Sequence, residues 1–253
     1  MKVLLLFPPA WTPSMPHLAL PMLSAYLSSQ GVQVVQRDLN LAVIDRLLSP
    51  EVVRDAQRDV RRRYAGRAGR RHARGLQPDA LAVDWALEAG ERLADGVEEA
   101  KAVFRGPEFW DPERGRWALE VLAGSLQVVS LPYYPGFVEM SAYGAPVPED
   151  SSRALLRLAG DREANAYLDV LDRYIVDDLL AEDPDVVGIS IPTMSQMAAG
   201  LTVARLLKAR GLRAHITAGG PHLTMLREAL RATPDLFDLL DSVVVFDGER
   251  PLL

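Results

Sequence analysis

The apolar and polar positions of this chain fall into two regimes. Residues 2–7, KVLLLF, form an unbroken apolar run of strand length, the pattern of a parallel strand buried on both faces. After a Pro-rich loop, LALPMLSAYLSSQG reads as a helix, with Leu20, Leu23 and Leu27 on its buried side and Gly31 at its end. A glycine there suits a left-handed cap. VQVVQR (32–37) is a second strand, running into DLN. Strand, helix and strand in this order make a βαβ unit, which predicts a parallel sheet.

The pattern then changes. Residues 41 to about 128 carry helical periodicity and no convincing strand. Val83, Leu87, Ala94 and Val97 share one helical face. The stretch 54–74 holds nine Arg against two Asp, and 79–101 holds seven acidic residues against two basic ones. A docking site for an acidic peptide or phosphates is one reading of the arginines. Two solvated helices that pair their opposite charges is the simpler one, and is preferred here. Trp85, Trp110 and Trp117 are expected in the core of this helical insertion. Residues 128–151, rich in Pro, Gly and aromatics, predict an ordered loop crossing back over the sheet, so that the insertion spans about 41–150.

The first regime resumes with REANAYLDVLDRYIVDDLLAED. Ala164, Tyr167, Leu168, Leu171, Tyr174, Ile175 and Leu179 form one stripe, which predicts one long amphipathic helix. DVVGISI (185–191) is a strand, SQMAAGLTVARLLKARG a helix ending at Gly211, RAHITA (213–218) a strand running into Gly219-Gly220, TMLREALRA a helix, and SVVVF (242–246) the fifth strand. The fold expected is α/β and Rossmann-like: a five-stranded parallel sheet in a single domain over 1–253, with the helical insertion between strands 2 and 3. In a flavodoxin-like strand order the ligand crevice lies between strands 1 and 3. Loops 8–17 and 190–197 then meet there, with Gly219-Gly220 on the adjacent strand.

Composition narrows the function. A net charge of −6 gives no general affinity for nucleic acid, and no apolar run approaches the ~20 residues of a membrane span. The start MKVLLLFPPAW resembles a signal peptide, but Pro8-Pro9 break the run and no small-residue cleavage site follows. A cytoplasmic protein is expected. There is no Cys, which removes disulfides, thiolate zinc sites, Cys nucleophiles and cysteine-held iron–sulfur clusters from these residues. Only four histidines, His17, His72, His215 and His222, are present, and no His-rich metal site is expected. No GxGxxG follows the first strand and no GxxxxGK[ST] is present.

The candidate chemistry sits in the crevice loops. Gly219-Gly220 has two readings: a tight turn needing positive φ, or a backbone that a ligand approaches closely. Ser190, Thr193 and Ser195 direct hydroxyls toward the same crevice, where they suit phosphate or amide groups. Ser195 is alternatively the N-cap of the following helix.

These segments resemble the cobalamin-binding domain that precedes the catalytic barrel of cobalamin-dependent radical SAM enzymes. The likeness lies in VLLLFPPAWTPSMPHLALPMLSAYLSSQGVQVVQRDLN, then PDVVGISIPTMSQMAAGLTVARLLKARG, AGGPH and FDLLDSVVVFDGERPLL. It covers roughly residues 1–40 and 184–253, as four loose motifs in the family's order. A Gln after the third strand, followed by the ARLLKARG helix, resembles the subgroup that methylates ribosomally made peptides. The resemblance implies that cobalamin's nucleotide tail passes Gly219 and Gly220 with Ser190 opposite. It also implies cofactor contacts from Pro9, Trp11, Pro192, Thr193, Pro221, His222, Gly248 and Glu249. Replacing Gly220 with Leu is then expected to block the ligand and leave the domain folded. Asp-x-His-x-x-Gly, which carries a cobalt-ligating His in other cobalamin proteins, is missing, so the resemblance implies cobalamin with its base displaced and no protein His beneath the metal. His17 lies in the first loop without that motif, His222 reads as a wall or helix-start residue, and His215 as structural. S-adenosylmethionine and a 4Fe–4S cluster, which needs CxxxCxxC, would belong to a radical SAM catalytic domain, in cis or as a second chain. The chain stops at DGERPLL, about where the family's linker begins, and so reads as a severed N-terminal domain or one subunit of a split enzyme. The implied function is cobalamin binding for a methyltransferase acting on an unactivated carbon of a peptide or small molecule. The rival is a non-cobalamin α/β module that binds another ligand or a protein.

Overall fold

A computed structural model describes residues 1–64 and 77–253. His72 and the part of the Arg-rich stretch beyond residue 64 lie outside the described residues. The chain divides into two compact units, Met1–Val43 with Val147–Leu253, and Ile44–Pro146.

In chain order the elements are β1 (Lys2–Phe7), α1 (Ala19–Ser29), β2 (Gln33–Asp38), α2 (Leu39–Leu47), α3 (Pro50–Tyr64), α4 (Ala80–Arg105), α5 (Pro112–Ser130), β3 (Phe137–Val138), β4 (Tyr143–Gly144), α6 (Ser152–Leu158), α7 (Leu168–Tyr174), α8 (Val176–Ala181), β5 (Val186–Ser190), α9 (Met197–Ala209), β6 (His215–Gly219), α10 (Pro221–Met225), α11 (Arg227–Leu230) and β7 (Ser242–Val244). The first unit holds the parallel five-stranded sheet β2-β1-β5-β6-β7. The expected α/β class, strand identities and flavodoxin-like order are therefore present, and among the described residues 41–127 supply no strand to the sheet.

Register separates the two faces of the sheet. Leu5 pairs with Gly188, Gly188 with Thr217 and Thr217 with Ser242. Side chains alternate along a strand, so Val3, Leu5 and Phe7 share a face with Gly188, Ser190, Thr217, Gly219 and Ser242. Over β1 that face is covered by α1. Leu20 and Leu27 pack with Val3, Leu5, Phe7 and Leu252 in one buried cluster. Each large apolar side chain buried there contributes about 1.5–3 kcal/mol. The opposite face carries the buried Leu4, Leu6, Val187, Ile189, Ile216 and Ala218. α9 lies against it closely enough that a Cβ on Gly200 would meet Ile189 Cγ2 at 3.6 Å. Both helix-ending glycines behave as the pattern predicts. Gly31 (φ +80°) and Gly211 (φ +87°) close α1 and α9. The bonds Val32 N–H to Leu27 C=O and Leu212 N–H to Leu207 C=O, at 3.1 and 3.0 Å, complete the six-to-one pattern of a Schellman motif.

Several expectations need correction. Residues 162–183 are not one helix. α7 and α8 are separated at Ile175 (φ −128°, ψ −44°), and a turn precedes them. Asn165, fully buried, causes that turn. Its Oδ1 accepts from Tyr167 N–H at 3.1 Å, and its Nδ2 donates to Leu158 C=O at 3.1 Å and Thr202 Oγ1 at 2.8 Å. A side chain that captures nearby backbone groups competes with the helix. The stripe is nonetheless buried at Ala164, Tyr167, Leu168, Leu171, Ile175 and Leu179, so periodicity located the core and overstated the helix. The helix expected over TMLREALRA instead begins at Pro221, well placed at a first helical position, and breaks at Leu226 into α10 and α11.

The polar side of α7 carries an ion cluster in which Arg162 pairs with Asp169 and Asp172, and Arg210 with Asp172 and Asp177. The Arg162 and then the Arg210 guanidinium hold the Asp172 carboxyl below its ordinary value. A carboxylate with a depressed folded pKa stabilises above its unfolded value, and the gain is lost as pH falls through the folded one. Asp172→Asn should therefore cost about 1 kcal/mol near neutrality, and urea unfolding should show the gap to wild type narrowing below about pH 4.

The second unit is built on α3, α4 and α5. Val53, Ala56 and Val60 of α3 are buried, as are Val83, Ala94 and Val97 of α4. Arg54 of α3 pairs with Glu91 at 2.7 Å and with Asp95 of α4, so the Arg-rich and acidic helices do pair across their interface. Arg58 and Arg62 pair within α3, with Asp55 and Asp59. Trp110 is not core: it is 82% exposed in the 3-10 turn Pro107–Trp110 that joins α4 to α5. Trp85 is also exposed, and Trp117 is half-buried. The 128–151 stretch starts inside α5 and contains the antiparallel pair β3–β4, where a loop was expected.

Candidate functional site

The face that changes character between β1 and β5 holds a cavity. On β1 it presents Leu5 and Phe7; on β5 and β6 it presents Gly188, Ser190, Thr217 and Gly219. The cavity left by these small residues measures about 350 Å³ and opens beside α1, within the range of small-ligand sites. Its floor is short of side chains. A Cβ on Gly188 would stand 3.0 Å from Leu5 Cδ2, and one on Gly219 would stand 3.2 Å from the Val244 carbonyl.

Of the residues singled out from sequence, Ser190, Gly219, Gly220, Pro221, Gly248 and Glu249 line this cavity. Pro9, Pro192, Thr193 and His222 lie outside its lining, and Trp11 lines a separate depression of about 470 Å³ with His17, Asp38 and Asn40. There the Trp11 indole N–H donates to Met15 C=O, and its backbone N–H to Asn40 Oδ1, both at 2.9 Å. His17 stacks on Phe7 with ring centroids 3.6 Å apart, and its Nε2 lies 3.3 Å from Asp38 Oδ2. His215 sits at the opening of β6 with Nε2 2.8 Å from Ser242 Oγ. His222 is half-buried in α10, and burial lowers its pKa, which keeps the imidazole neutral near pH 7. Among the described residues no group of three or more His, Cys, Asp or Glu is placed to hold a metal ion.

The Gly-Gly turn has a specific neighbour. Gly220 adopts φ +116°, ψ 171°, a region essentially reserved for glycine. An added Cβ would lie 2.8 Å from the Ile191 carbonyl oxygen and 2.9 Å from its carbon. Ile191 N–H in turn donates to Gly219 C=O at 2.8 Å. The backbone that Gly220 must admit is thus that of Ile191, so the expectation that a bulky residue would leave the domain folded does not hold. The clash meets the fold before any ligand.

Two further expectations change. Ser195 does not cap α9; it lies in the 3-10 turn Met194–Gln196, and Gln196 occupies the cap position without a side-chain cap bond. Thr193 Oγ1 donates to Gln196 Oε1 at 3.1 Å. Gln196, fully buried, donates from Nε2 to Pro8 C=O at 2.7 Å. It ties the loop after β1 to the loop after β5, at the switch in strand order.

Ser190 stands apart from these. It is 8% exposed, its register partner on β6 is Gly219, it lines the cavity, and its hydroxyl makes no hydrogen bond to another described residue. A hydroxyl on a cavity wall with no protein partner is open to water or a ligand. Apolar walls from Leu5, Leu20, Leu23 and Val244 surround it. A slot with an apolar wall, a glycine floor and a free hydroxyl suits a slender, partly aromatic and partly polar group.

Residues 146–252 match the family model of the B12 binding domain. No curated protein matches the chain, and no solved structure matches it. The match supports a cobalamin-binding domain. The B12 match includes β5, β6, β7 and the final turn, and so most of the cavity; β1 and α1, outside it, supply the remaining wall. The cavity's glycine floor and free hydroxyl fit cobalamin's nucleotide tail. Among the described residues no helix is long and apolar enough to cross a membrane.

Gly188 and Thr217 were not singled out from sequence. The two-residue spacings Gly188-x-Ser190 and Thr217-x-Gly219 place small and hydroxyl residues on one strand face, and that alternation was available in VVGIS and HITAG.

Proposed function

We propose that this chain binds cobalamin with the nucleotide tail in the cavity beside α1, as the N-terminal domain of a cobalamin-dependent radical SAM methyltransferase. The observation that carries the reading is the cavity itself, where Ser190, with no hydrogen bond from its hydroxyl to another described residue, stands beside the floor made by Gly188 and Gly219. Ser190 donates to the tail. Leu5, Leu20 and Leu23 exclude water from its apolar part, and Gly188 and Gly219 leave the floor free of side chains. Gln196 holds the loops after β1 and β5, which carry Pro9, Trp11, Pro192 and Thr193 outside the cavity lining, in a fixed relation. Cobalamin, when bound, supplies a cobalt centre that takes up and gives up a methyl group; the protein's share is binding and orientation. S-adenosylmethionine and the 4Fe–4S cluster belong, on this reading, to a catalytic domain in cis or on a second chain, because these 253 residues hold no Cys. The substrate is an unactivated carbon of a peptide or small molecule, and the setting is the cytoplasm.

The cobalt's lower face carries no protein histidine in this account. His17 is engaged with Phe7 and Asp38 in the other depression, and His222 lies in α10 outside the cavity lining. EPR of the cob(II)alamin-loaded protein tests this. The spectrum should lack nitrogen superhyperfine splitting from the protein and from the cofactor's own base, and it should be unchanged in His17→Ala and His222→Ala. Splitting from an imidazole that disappears in either variant would overturn the base-off assignment.

A further inference from the structure

A line of hydrogen bonds runs along β6 and β7 into the cavity wall. His215 Nε2 lies 2.8 Å from Ser242 Oγ, Ser242 Oγ donates to Thr217 Oγ1 at 2.9 Å, and Thr217 Oγ1 donates to the Ser242 carbonyl oxygen at 3.3 Å. Thr217 is 4% exposed and lines the cavity. It pairs with Gly188 in the register and sits one strand over from Ser190.

The protons can be followed along this line. A hydroxyl has one proton and two acceptor lone pairs. Ser242 gives its proton to Thr217, so the contact to His215 is completed by the Nε2 proton of the imidazole. Thr217 then has its own proton left, which it donates to the Ser242 carbonyl at 3.3 Å, a long bond against the usual range of about 2.5–3.0 Å for O–H···O. That proton is weakly committed. It belongs to a hydroxyl that already accepts a hydrogen bond, which strengthens it as a donor.

We propose that Thr217 is a second hydroxyl donor of the cavity, directed to a hydrogen-bond acceptor on cobalamin's nucleotide tail, a ring nitrogen or a sugar or phosphate oxygen. Ser242 and His215 are positioning residues: they supply the hydrogen bonds that leave Thr217 with a proton to give. This rests on the cobalamin reading above. It adds discrimination, because a tail with an acceptor at that place is favoured and a ligand with no tail gains nothing from Thr217.

The test is a titration of the full chain with hydroxocobalamin and, in parallel, with cobinamide, the corrin without its nucleotide tail. Thr217→Val should weaken hydroxocobalamin about tenfold, the size of one hydrogen bond to a buried group, and should leave cobinamide affinity unchanged. Thr217→Ser, which keeps the hydroxyl, should restore wild-type affinity. Ser242→Ala should weaken hydroxocobalamin about threefold, again without effect on cobinamide. If Thr217→Val binds hydroxocobalamin as wild type does, or loses both ligands equally and is not rescued by Ser, the proposal fails while the cobalamin reading stands. Wild-type protein that retains neither ligand would remove the cobalamin reading, and this proposal with it.

Discussion

Gly220→Ala should lower the thermal midpoint of the ligand-free protein by about 10 °C. The backbone there has φ +116° and ψ 171°, and forcing an L side chain into that region costs on the order of 1–3 kcal/mol. The added Cβ also meets the Ile191 carbonyl group at 2.8–2.9 Å, and the neighbour is backbone, which cannot swing aside. Together these exceed about 3 kcal/mol, and each kcal/mol moves the midpoint of a chain of this size by roughly 2–4 °C. Leu at the same place should be worse. A Gly220→Ala protein that melts with wild type would mean that the turn is held open for the ligand alone.

Ser190→Phe should do the reverse: abolish cobalamin retention and spare the fold. The Ser190 hydroxyl has no protein partner to lose, and the cavity beside it has about 350 Å³ into which a phenyl ring can fit. The ring takes the space of the tail and removes its donor. An affinity loss of at least about 100-fold, near 2.8 kcal/mol, is expected, with a thermal midpoint within a few degrees of wild type. Retained binding would mean that the tail lies elsewhere. The two variants separate what is required for folding from what is required for the ligand, a distinction the Gly-Gly motif alone blurs.

The sequence made the sheet legible because its strands are of a kind that local pattern can show. KVLLLF and DVVGISI are apolar runs buried on both faces, and Gly31 and Gly211 mark helix ends by their need for positive φ. The flavodoxin-like strand order came with the α/β class rather than from any local signal, and it is the order observed. The failures have a common cause, a long-range partner acting on a local signal. Asn165 breaks the 162–183 helix through Leu158 and Thr202, the second of these 37 residues away. Gly220 is fixed by Ile191, on the neighbouring strand end. Thr217 reads as an ordinary strand threonine until β7 brings Ser242 against it. The site was therefore half visible. Ser190, Gly219, Gly220, Gly248 and Glu249 stand on the cavity as motif neighbours, and Gly188 and Thr217 join them only once the register is known.

The central claim is that this cavity takes the nucleotide tail of cobalamin. Equilibrium dialysis of the protein against hydroxocobalamin, with Ser190→Phe alongside, tests it most directly. Wild type should retain one cobalamin per chain after gel filtration, with an absorption spectrum of the base-displaced form, and Ser190→Phe should emerge colourless. A wild-type protein that emerges colourless, or a Ser190→Phe protein that retains as much cobalamin as wild type, would contradict the account.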